Sequence, residues 1–121
     1  MSHWGLSMFF EYDRYEFYIC PFSVDMRSGA QKLAQIVIAQ MDMDPLSKKM
    51  FLFTGKDHKG VKVLVWDRNG WWVHYKRLYR GTFAWPRSEE AARKVTIEQV
   101  KGLFSGEDRW RKLPELYGEL A

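Results

Sequence analysis

A stretch in the middle of the chain, residues 50–86, is dense in Val, Phe, Trp and Tyr and is interrupted by short segments that contain glycine. Its apolar runs cover residues 50–54, 61–67 and 71–79, and the segments 55–60 and 68–70 separate them. β-Branched and aromatic residues favour strands, and tight glycine-containing segments favour the turns between neighbouring strands. The stretch therefore predicts an antiparallel meander at the centre of the molecule.

The best-defined helical pattern lies before this stretch. Apolar residues recur with helical spacing from Ala30 to Met41, so one face of the helix is apolar and the other is polar. Ser23 and Asp25 are both suitable N-caps. We expect a helix over residues 26–41 that covers one face of the sheet, because so apolar a sheet cannot leave both faces bare.

Two further elements complete the predicted fold. Apolar and charged residues partly alternate before Pro21, which predicts a strand over 15–20. Thr96 and Gln99 have the spacing of a capping box and predict a short helix over 97–104. The fold class expected is α+β, with a meander of four or five antiparallel strands, one amphipathic helix packed on a face and a short C-terminal helix.

The length of 121 residues fits a single domain, because a chain of this size buries enough surface for one core. We therefore predict one domain over residues 1–121. Residues 1–8 have no periodic pattern, and residues 107–121 surround a proline. We expect both ends to be mobile.

Cys20 is the only cysteine in the chain, which excludes an internal disulfide framework and a cysteine-rich zinc site. The first residues lack the basic and apolar regions of a signal peptide, and no run approaches the roughly 18 apolar residues of a membrane span. These features predict a cytoplasmic protein with no membrane partner.

The net charge of +4 is unevenly distributed. Residues 48–87 hold ten Lys and Arg against two Asp, a balance of +8, whereas residues 1–47 carry −3 and residues 88–121 carry −1. The positive surplus therefore belongs to the predicted sheet. A concentrated positive field favours a polyanionic partner, nucleic acid first and an acidic protein surface second.

Asn69-Gly70 is the strongest turn signal in the meander, because a type I′ turn needs positive φ at both central positions. With these two residues as the loop, Arg68 would lie opposite Trp71, and the pairs Trp66–Val73, Leu64–Tyr75 and Lys62–Arg77 would follow. Three valines share one face of this hairpin, which predicts that this face is the core side: Val61, Val63 and Val65.

Basic and aromatic residues interleave on the predicted strands and turns. Lysine and arginine neutralise phosphates, and aromatic rings stack on bases. A solvated sheet face above core aromatics would give the same pattern, so both interpretations stand. The candidate residues for nucleic-acid binding are Lys56, Lys59, Lys62, Trp66, Tyr75, Lys76, Arg77 and Arg80.

Catalytic patterns are weak. The three histidines lie far apart, no phosphate-binding glycine motif is present, and we predict no metal site and no cofactor. A metal-dependent nuclease is the least favoured function, because Asp25, Asp44 and Asp67 each have an ordinary role as a cap, a turn residue or a residue before a turn.

An ordered series of short motifs resembles a known family. The series begins with Val24-Asp25-Met26-Arg27-Ser28-Gly29 and Asp44-Pro45-Leu46-Ser47, and it continues through residues 51–53 and 61–67 to the segment 75–86. These motifs are similar to those of the small TnpB-type accessory protein, encoded by the second reading frame of the insertion sequence 66 family of bacterial transposable elements. The residues that carry the resemblance are Asp25, Met26, Arg27, Gly29, Asp44, Pro45, Asp67, Gly81, Trp85 and Pro86.

The resemblance implies a role in DNA transposition beside a separate, larger transposase that carries the catalytic residues. It implies no enzymatic activity for this chain. The expected function is a non-enzymatic accessory that binds DNA, or the transposase–DNA complex, through the basic sheet region. The alternative is a protein-interaction module that docks on the transposase, or on another accessory protein encoded by the element, without touching DNA.

Overall fold

The computed structural model describes residues 14–86, 94–106 and 110. This part of the chain contains five strands and two helices. They follow one another as β1 (Glu16–Ile19), α1 (Ala30–Ala39), β2 (Lys49–Thr54), β3 (Gly60–Asp67), β4 (Gly70–Arg77), β5 (Lys94–Val95) and α2 (Ile97–Phe104).

The strands form one sheet in the order β4-β3-β2-β1-β5. β2, β3 and β4 are the predicted antiparallel meander, and β5 is antiparallel to β1. β1, however, runs parallel to β2, because α1 crosses between them and returns the chain to the end at which β1 began. The α+β class is therefore confirmed, and the sheet is mixed at this one pair.

Each face of the sheet carries an apolar cluster, whereas the sequence predicted the valine face of the hairpin as the core side. Because strand side chains alternate between faces, each buried strand supplies apolar residues to two clusters. The first cluster lies between the valine face, α2 and residues 83–85. The second lies between α1 and the opposite face, where Phe51, Phe53 and Leu64 are fully buried.

The predicted register of the β3–β4 hairpin is wrong by two residues. Asp67 pairs with Gly70, so the loop is Arg68-Asn69, and Lys62 lies opposite Tyr75 instead of Arg77. Arg68 takes the positive φ of 57° that a glycine would adopt more easily. Because the shift is an even number of residues, the predicted division of side chains between the two faces is unchanged.

The start of α1 also differs from the prediction. The helix begins at Ala30 after Gly29 as N-cap, so neither Ser23 nor Asp25 caps it. The Asp25 carboxylate instead accepts a hydrogen bond from the backbone N–H of Arg27, at 2.9 Å, in a local turn that competes with helix formation. α2 begins as predicted, with a complete capping box between Thr96 and Gln99.

The two ends that the sequence predicts to be mobile lie almost wholly outside the described residues. Residues 1–8 lie outside the described residues, and so does all of 107–121 except Trp110. The indole N–H of Trp110 donates to the carbonyl of Ala84, and the ring packs against the first cluster. Within the described residues, neither helix has the length and apolar character needed to cross a membrane.

Candidate nucleic-acid interface

The turn between β2 and β3 meets the segment that follows β4 at one end of the sheet. The backbone N–H of Leu78 donates to the carbonyl of Lys59 at 2.9 Å, and that of Phe83 donates to the carbonyl of His58 at 2.7 Å. Four residues, 79–82, therefore form a loop whose two ends are fixed to the same turn. We call this end of the sheet the basic end, and its cations are Lys56, Lys59, Arg77 and Arg80.

The β2–β3 turn is shaped by its own backbone and by one carboxylate. The Asp57 side chain accepts a hydrogen bond from the N–H of Lys59 at 3.1 Å, and His58 adopts a positive φ of 55°. Asp57 is thus used as a turn residue. Lys56 and Lys59 are both exposed, so the turn presents two lysines to solvent.

The loop over residues 79–82 is exposed along its whole length. Gly81 has a φ of +78°, which glycine adopts without strain and which turns the chain back toward the sheet. Tyr79 is 93% exposed, and the guanidinium carbon of Arg80 lies 5.6 Å from the centre of its ring. The loop thus holds a tyrosine ring and an arginine side by side above the sheet end.

These pieces enclose an open cleft of about 400 Å³. Three cations line it, from three different places in the chain: the β2–β3 turn, the last residue of β4 and the exposed loop. Because like charges in one cleft raise the local potential, the cleft attracts anions such as phosphate groups. Its lining residues are Lys59, Arg77, Leu78, Tyr79, Arg80 and Gly81.

The segment before α1 supports the basic end from one side. The N–H of Val24 donates to the carbonyl of Thr54 at 2.9 Å, and Met26 lies over the glycines that bound the β2–β3 turn. A Cβ at Gly55 would lie 2.7 Å from Cγ of Met26, and one at Gly60 would lie 3.3 Å from its terminal methyl carbon. The motif around Met26 is therefore a support for the turn.

Arg27 adds little free charge to this end. Its guanidinium donates to both oxygens of the Asp25 carboxylate, at 3.0 and 2.8 Å, although its side chain is 91% exposed. These bonds hold the pKa of the Asp25 carboxyl far below its usual range. The two charges therefore largely cancel.

Two of the candidate lysines bind backbone carbonyls of the protein itself. Lys62 donates to the carbonyl of Ser28 at 2.9 Å, with its nitrogen 5.4 Å from the centre of the Tyr75 ring. Lys76 donates to the carbonyl of Phe104 at 3.1 Å, at the C-terminus of α2 where a cation is favourable. These lysines lie on opposite faces of the sheet, and each ties the sheet to the element above it.

Trp66 lies at the opposite end of the sheet. It pairs with Trp71 across the hairpin, with ring centres 4.9 Å apart and edge-to-face geometry. Trp72, on the other face, is 45% exposed, and its indole N–H donates to the Asp67 carboxylate at 3.0 Å. We call Trp66, Trp71 and Trp72 the tryptophan tip. At the usual rise per residue of a strand, the length of β3 places this tip roughly 20 Å from the basic end.

The remaining motif residues are mostly structural. Trp85 is 7% exposed and donates its indole N–H to the carbonyl of Cys20 at 3.0 Å, and Pro86 and Pro45 are buried. The Asp44 carboxylate accepts a hydrogen bond from the N–H of Leu46 at 2.9 Å and shapes the turn before β2. Gly29 caps α1, and Gly81 turns the exposed loop.

Among the residues that the structure describes, the candidate catalytic side chains do not lie together. Asp25, Asp44 and Asp67, the three aspartates weighed for a nuclease, are each engaged locally, and no three His, Cys, Asp or Glu side chains within the described ranges gather as a metal site would require. Burial raises the pKa of the Cys20 thiol to about 11, which disfavours the nucleophilic thiolate.

Of the eight predicted residues, Lys56, Lys59, Arg77 and Arg80 present their charges at the basic end. Lys62 and Lys76 donate to backbone carbonyls, Tyr75 packs against Gly60, and Trp66 lies at the opposite end of the sheet. Tyr79 was missed. A tyrosine at the end of an apolar run looks like a strand residue in sequence, and only the backbone bonds on either side of the loop reveal that it projects from the sheet.

Comparison with known proteins places the chain in a family. The sequence model described as "IS66 Orf2 like protein" matches residues 15–114. The chain is 37% identical over 93 residues to the "Uncharacterized protein y4hO" of Sinorhizobium fredii, covering 77% of this chain and 80% of that protein. It is 28% identical over 90 residues to "Uncharacterized protein y4jC" of the same organism, covering 74% and 76%.

No solved structure matches the chain significantly. The family match includes every motif on which the sequence resemblance rests, from Asp25 to Pro86, and it extends through α2. The chain therefore belongs to the IS66 Orf2-like family, whose members are accessory proteins of bacterial insertion sequences with a role in transposition.

Proposed function

We propose that this protein is a non-enzymatic accessory of DNA transposition that binds DNA phosphates at its basic end, in the cytoplasm, beside the element's transposase. The observation that carries the proposal is the cleft in which Lys59, Arg77 and Arg80 converge. Phosphate contacts supply most of the affinity of proteins that bind DNA without reading its sequence. A cleft of this charge has no evident role in stabilising the fold.

The expected strength of the salt dependence follows from the positions of the cations. Lys62 and Lys76 donate to backbone carbonyls of the protein, so they are not counted as phosphate contacts. The four cations of the basic end remain. Four phosphate contacts on duplex DNA correspond to a slope of log K against log salt of about −3.6.

The test compares two exposed arginines at opposite ends of the sheet. We expect Arg80→Glu to weaken DNA binding at least tenfold at low salt and to make the slope shallower by about one unit. Arg68→Glu, in the loop between β3 and β4, changes the net charge by the same amount but should alter affinity by less than about threefold. Fluorescence anisotropy of labelled DNA over a salt series measures both effects.

Two results would contradict the proposal. One is that the unmodified protein does not bind DNA at low salt or binds it independently of salt. The other is that Arg68→Glu and Arg80→Glu weaken binding equally, because that result would indicate a response to net charge and not to the basic end.

The tryptophan tip favours a second candidate function, which is docking on the transposase. Exposed tryptophan side chains are enriched in protein interfaces, and Trp72 is 45% exposed beside the Trp66–Trp71 pair. Trp85 is excluded from this surface because it is buried.

Co-purification with the transposase tests this candidate. Complex formation that persists at high salt and is lost in Trp72→Ala, but retained in Arg80→Glu, would favour docking through the tryptophan tip. A complex that Arg80→Glu dissociates, and that Trp72→Ala leaves intact, would assign the contact to the basic end instead.

A further inference from the structure

Tyr79 is the most exposed large hydrophobic side chain in the described part of the molecule, at 93%, and it lies beside the cations of the cleft. Burial therefore does not explain its position. The loop that carries it is fixed at both ends by backbone hydrogen bonds of 2.9 and 2.7 Å to the β2–β3 turn. The ring is thus held in solvent by a braced segment of four residues.

The neighbours of this ring are cations. Arg80 lies 5.6 Å from the ring centre, and Lys59 and Arg77 line the same cleft. A flat aromatic ring bordered by phosphate-binding groups is the arrangement by which proteins hold single-stranded nucleic acid, with cations along the backbone and rings stacked on the bases. Every base has a π face, so such stacking does not need a particular sequence.

The interior of duplex DNA does not offer this contact, because each base there is covered on both faces by its neighbours. A ring that projects beside phosphate-binding groups gains a stacking partner only where a base is unpaired or displaced. The same cations would bind the phosphates of either form. The tyrosine, and not the charge, is therefore the feature that would distinguish them.

We propose that Tyr79 stacks on an unpaired base while Lys59, Arg77 and Arg80 hold the flanking phosphates, so that the basic end is a binding site for single-stranded DNA. This inference rests on the proposed function, because it requires that the basic end binds DNA. It adds the form of DNA that is bound and the residue that selects it.

The experiment measures the affinity of the full chain for a labelled oligonucleotide of about 12 nucleotides, single-stranded or paired with its complement, over a salt series. Loss of one stacked base should weaken single-strand binding roughly 5- to 150-fold in Tyr79→Ala. The salt slope should not change, because no phosphate contact is lost. Duplex affinity should stay within about twofold.

Two matched variants act as controls. Tyr79→Phe keeps the ring and should bind the single strand within about threefold of the unmodified protein. Thr82→Ala, at another exposed position of the same loop, should bind both forms normally. Circular dichroism of each variant checks that the fold is retained.

The outcomes separate this inference from the proposed function. If Arg80→Glu weakens binding to both forms while Tyr79→Ala affects neither, or both equally, the basic end binds DNA but Tyr79 does not select the single strand. If Tyr79→Phe binds as poorly as Tyr79→Ala, stacking is not the cause. If the unmodified protein binds neither form at low salt, the proposed function fails and this inference fails with it.

Discussion

Gly60, the first residue of β3, lets three parts of the protein meet at the basic end. A Cβ at this position would lie 2.8 Å from Cε1 of Tyr75 and 3.3 Å from the terminal methyl carbon of Met26. The glycine therefore provides the space in which the tyrosine ring lies against the strand backbone. That ring in turn lies under the Lys62 ammonium, which binds the segment before α1.

Replacing this glycine should destabilise the protein. We expect Gly60→Ala to lower the free energy of unfolding by about 1–3 kcal/mol, because the Tyr75 ring and Met26 must both shift. Urea denaturation followed by circular dichroism measures the change.

Gly70, at the other end of the same hairpin, is the matched control. Nothing lies within 4 Å of a Cβ at Gly70, and its φ is not positive, so Gly70→Ala should be neutral or should stabilise by up to about 1 kcal/mol. If the two variants lower the free energy of unfolding equally, the close approach of Tyr75 and Met26 to Gly60 does not affect stability.

The hairpin loop gives a second prediction at single positions. In the structure Arg68 has a φ of 57°, so Arg68→Gly should raise the free energy of unfolding by about 0.5–1 kcal/mol. Asn69 is not in that region, and Asn69→Gly should be neutral or destabilising. The two-residue loop expected from the sequence, Asn69-Gly70, predicts the reverse order, since Asn69 would then carry a positive φ and Arg68 would be a strand residue.

Chemical denaturation of the two variants decides between these loops. If Asn69→Gly raises the free energy of unfolding and Arg68→Gly lowers it, the hairpin has the register that the Asn-Gly signal favours. The sequence signal fails here because the cross-strand contacts of the whole hairpin, including the Trp66–Trp71 pair, act against the preference of two loop residues.

At the scale of elements, α2 is tied to the sheet by a cation. Lys76 in β4 donates to the carbonyl of Phe104 in the last turn of α2, and its nitrogen lies 5.7 Å from the centre of the Phe104 ring. We expect Lys76→Met to lower the free energy of unfolding by about 0.5–1.5 kcal/mol, because a charge-assisted bond at a helix C-terminus is lost. The DNA affinity of the Lys76→Met variant, and the salt dependence of that affinity, should be unchanged.

Lys56→Met also removes one positive charge, but from the basic end, and should affect DNA binding without affecting stability. Its side chain is exposed in the β2–β3 turn, so stability should stay within about 0.5 kcal/mol, while the salt slope of DNA binding becomes shallower by about one unit. If Lys76→Met instead weakens DNA binding as strongly as Lys56→Met, the division of the lysines into structural and DNA-binding groups is wrong.

Elements with a strong local signal could be predicted from the sequence, and those set by distant contacts could not. α2 forms where its capping box and apolar spacing place it, because both are local. α1 starts late because Asp25 and Arg27 stabilise a turn that periodicity does not reveal. β5 has only two residues, and its pairing with β1 joins positions 78 apart at Phe17 and Val95.

At the scale of the whole molecule, the balance of +8 over residues 48–87 is less concentrated than the sequence suggests. Lys48, Lys49 and Arg68 lie at the end of the sheet opposite the basic end, and Arg68 contacts the Asp67 carboxylate at 3.4 Å. Lys62 and Lys76 lie near the basic end, but both donate to backbone carbonyls of the protein, which leaves the four cations Lys56, Lys59, Arg77 and Arg80 there. Counting charges along the chain cannot distinguish these places, because successive antiparallel strands return the chain to both ends of the sheet.

The architecture predicts one cooperative unit, because the two apolar clusters lie on opposite faces of the same strands. Val37 in α1 and Val100 in α2 are both fully buried, one in each cluster. Val37→Ala and Val100→Ala should each lower the free energy of unfolding by about 2 kcal/mol, with one transition and an unchanged m-value. Because the sheet separates the two sites, the double variant should lose the sum within about 0.5 kcal/mol.

Urea unfolding followed in parallel by far-ultraviolet circular dichroism and tryptophan fluorescence tests this expectation, since coincident curves indicate a two-state transition. Separate transitions, one moved only by Val37→Ala and the other only by Val100→Ala, would mean that each helix unfolds from its own face of the sheet. Coincident curves would mean that damage to either layer reaches the basic end, because the β2–β3 turn and the loop over 79–82 are both anchored in the shared strands. DNA binding would then be lost in the same transition as the fold, which anisotropy measured across the urea series would show directly.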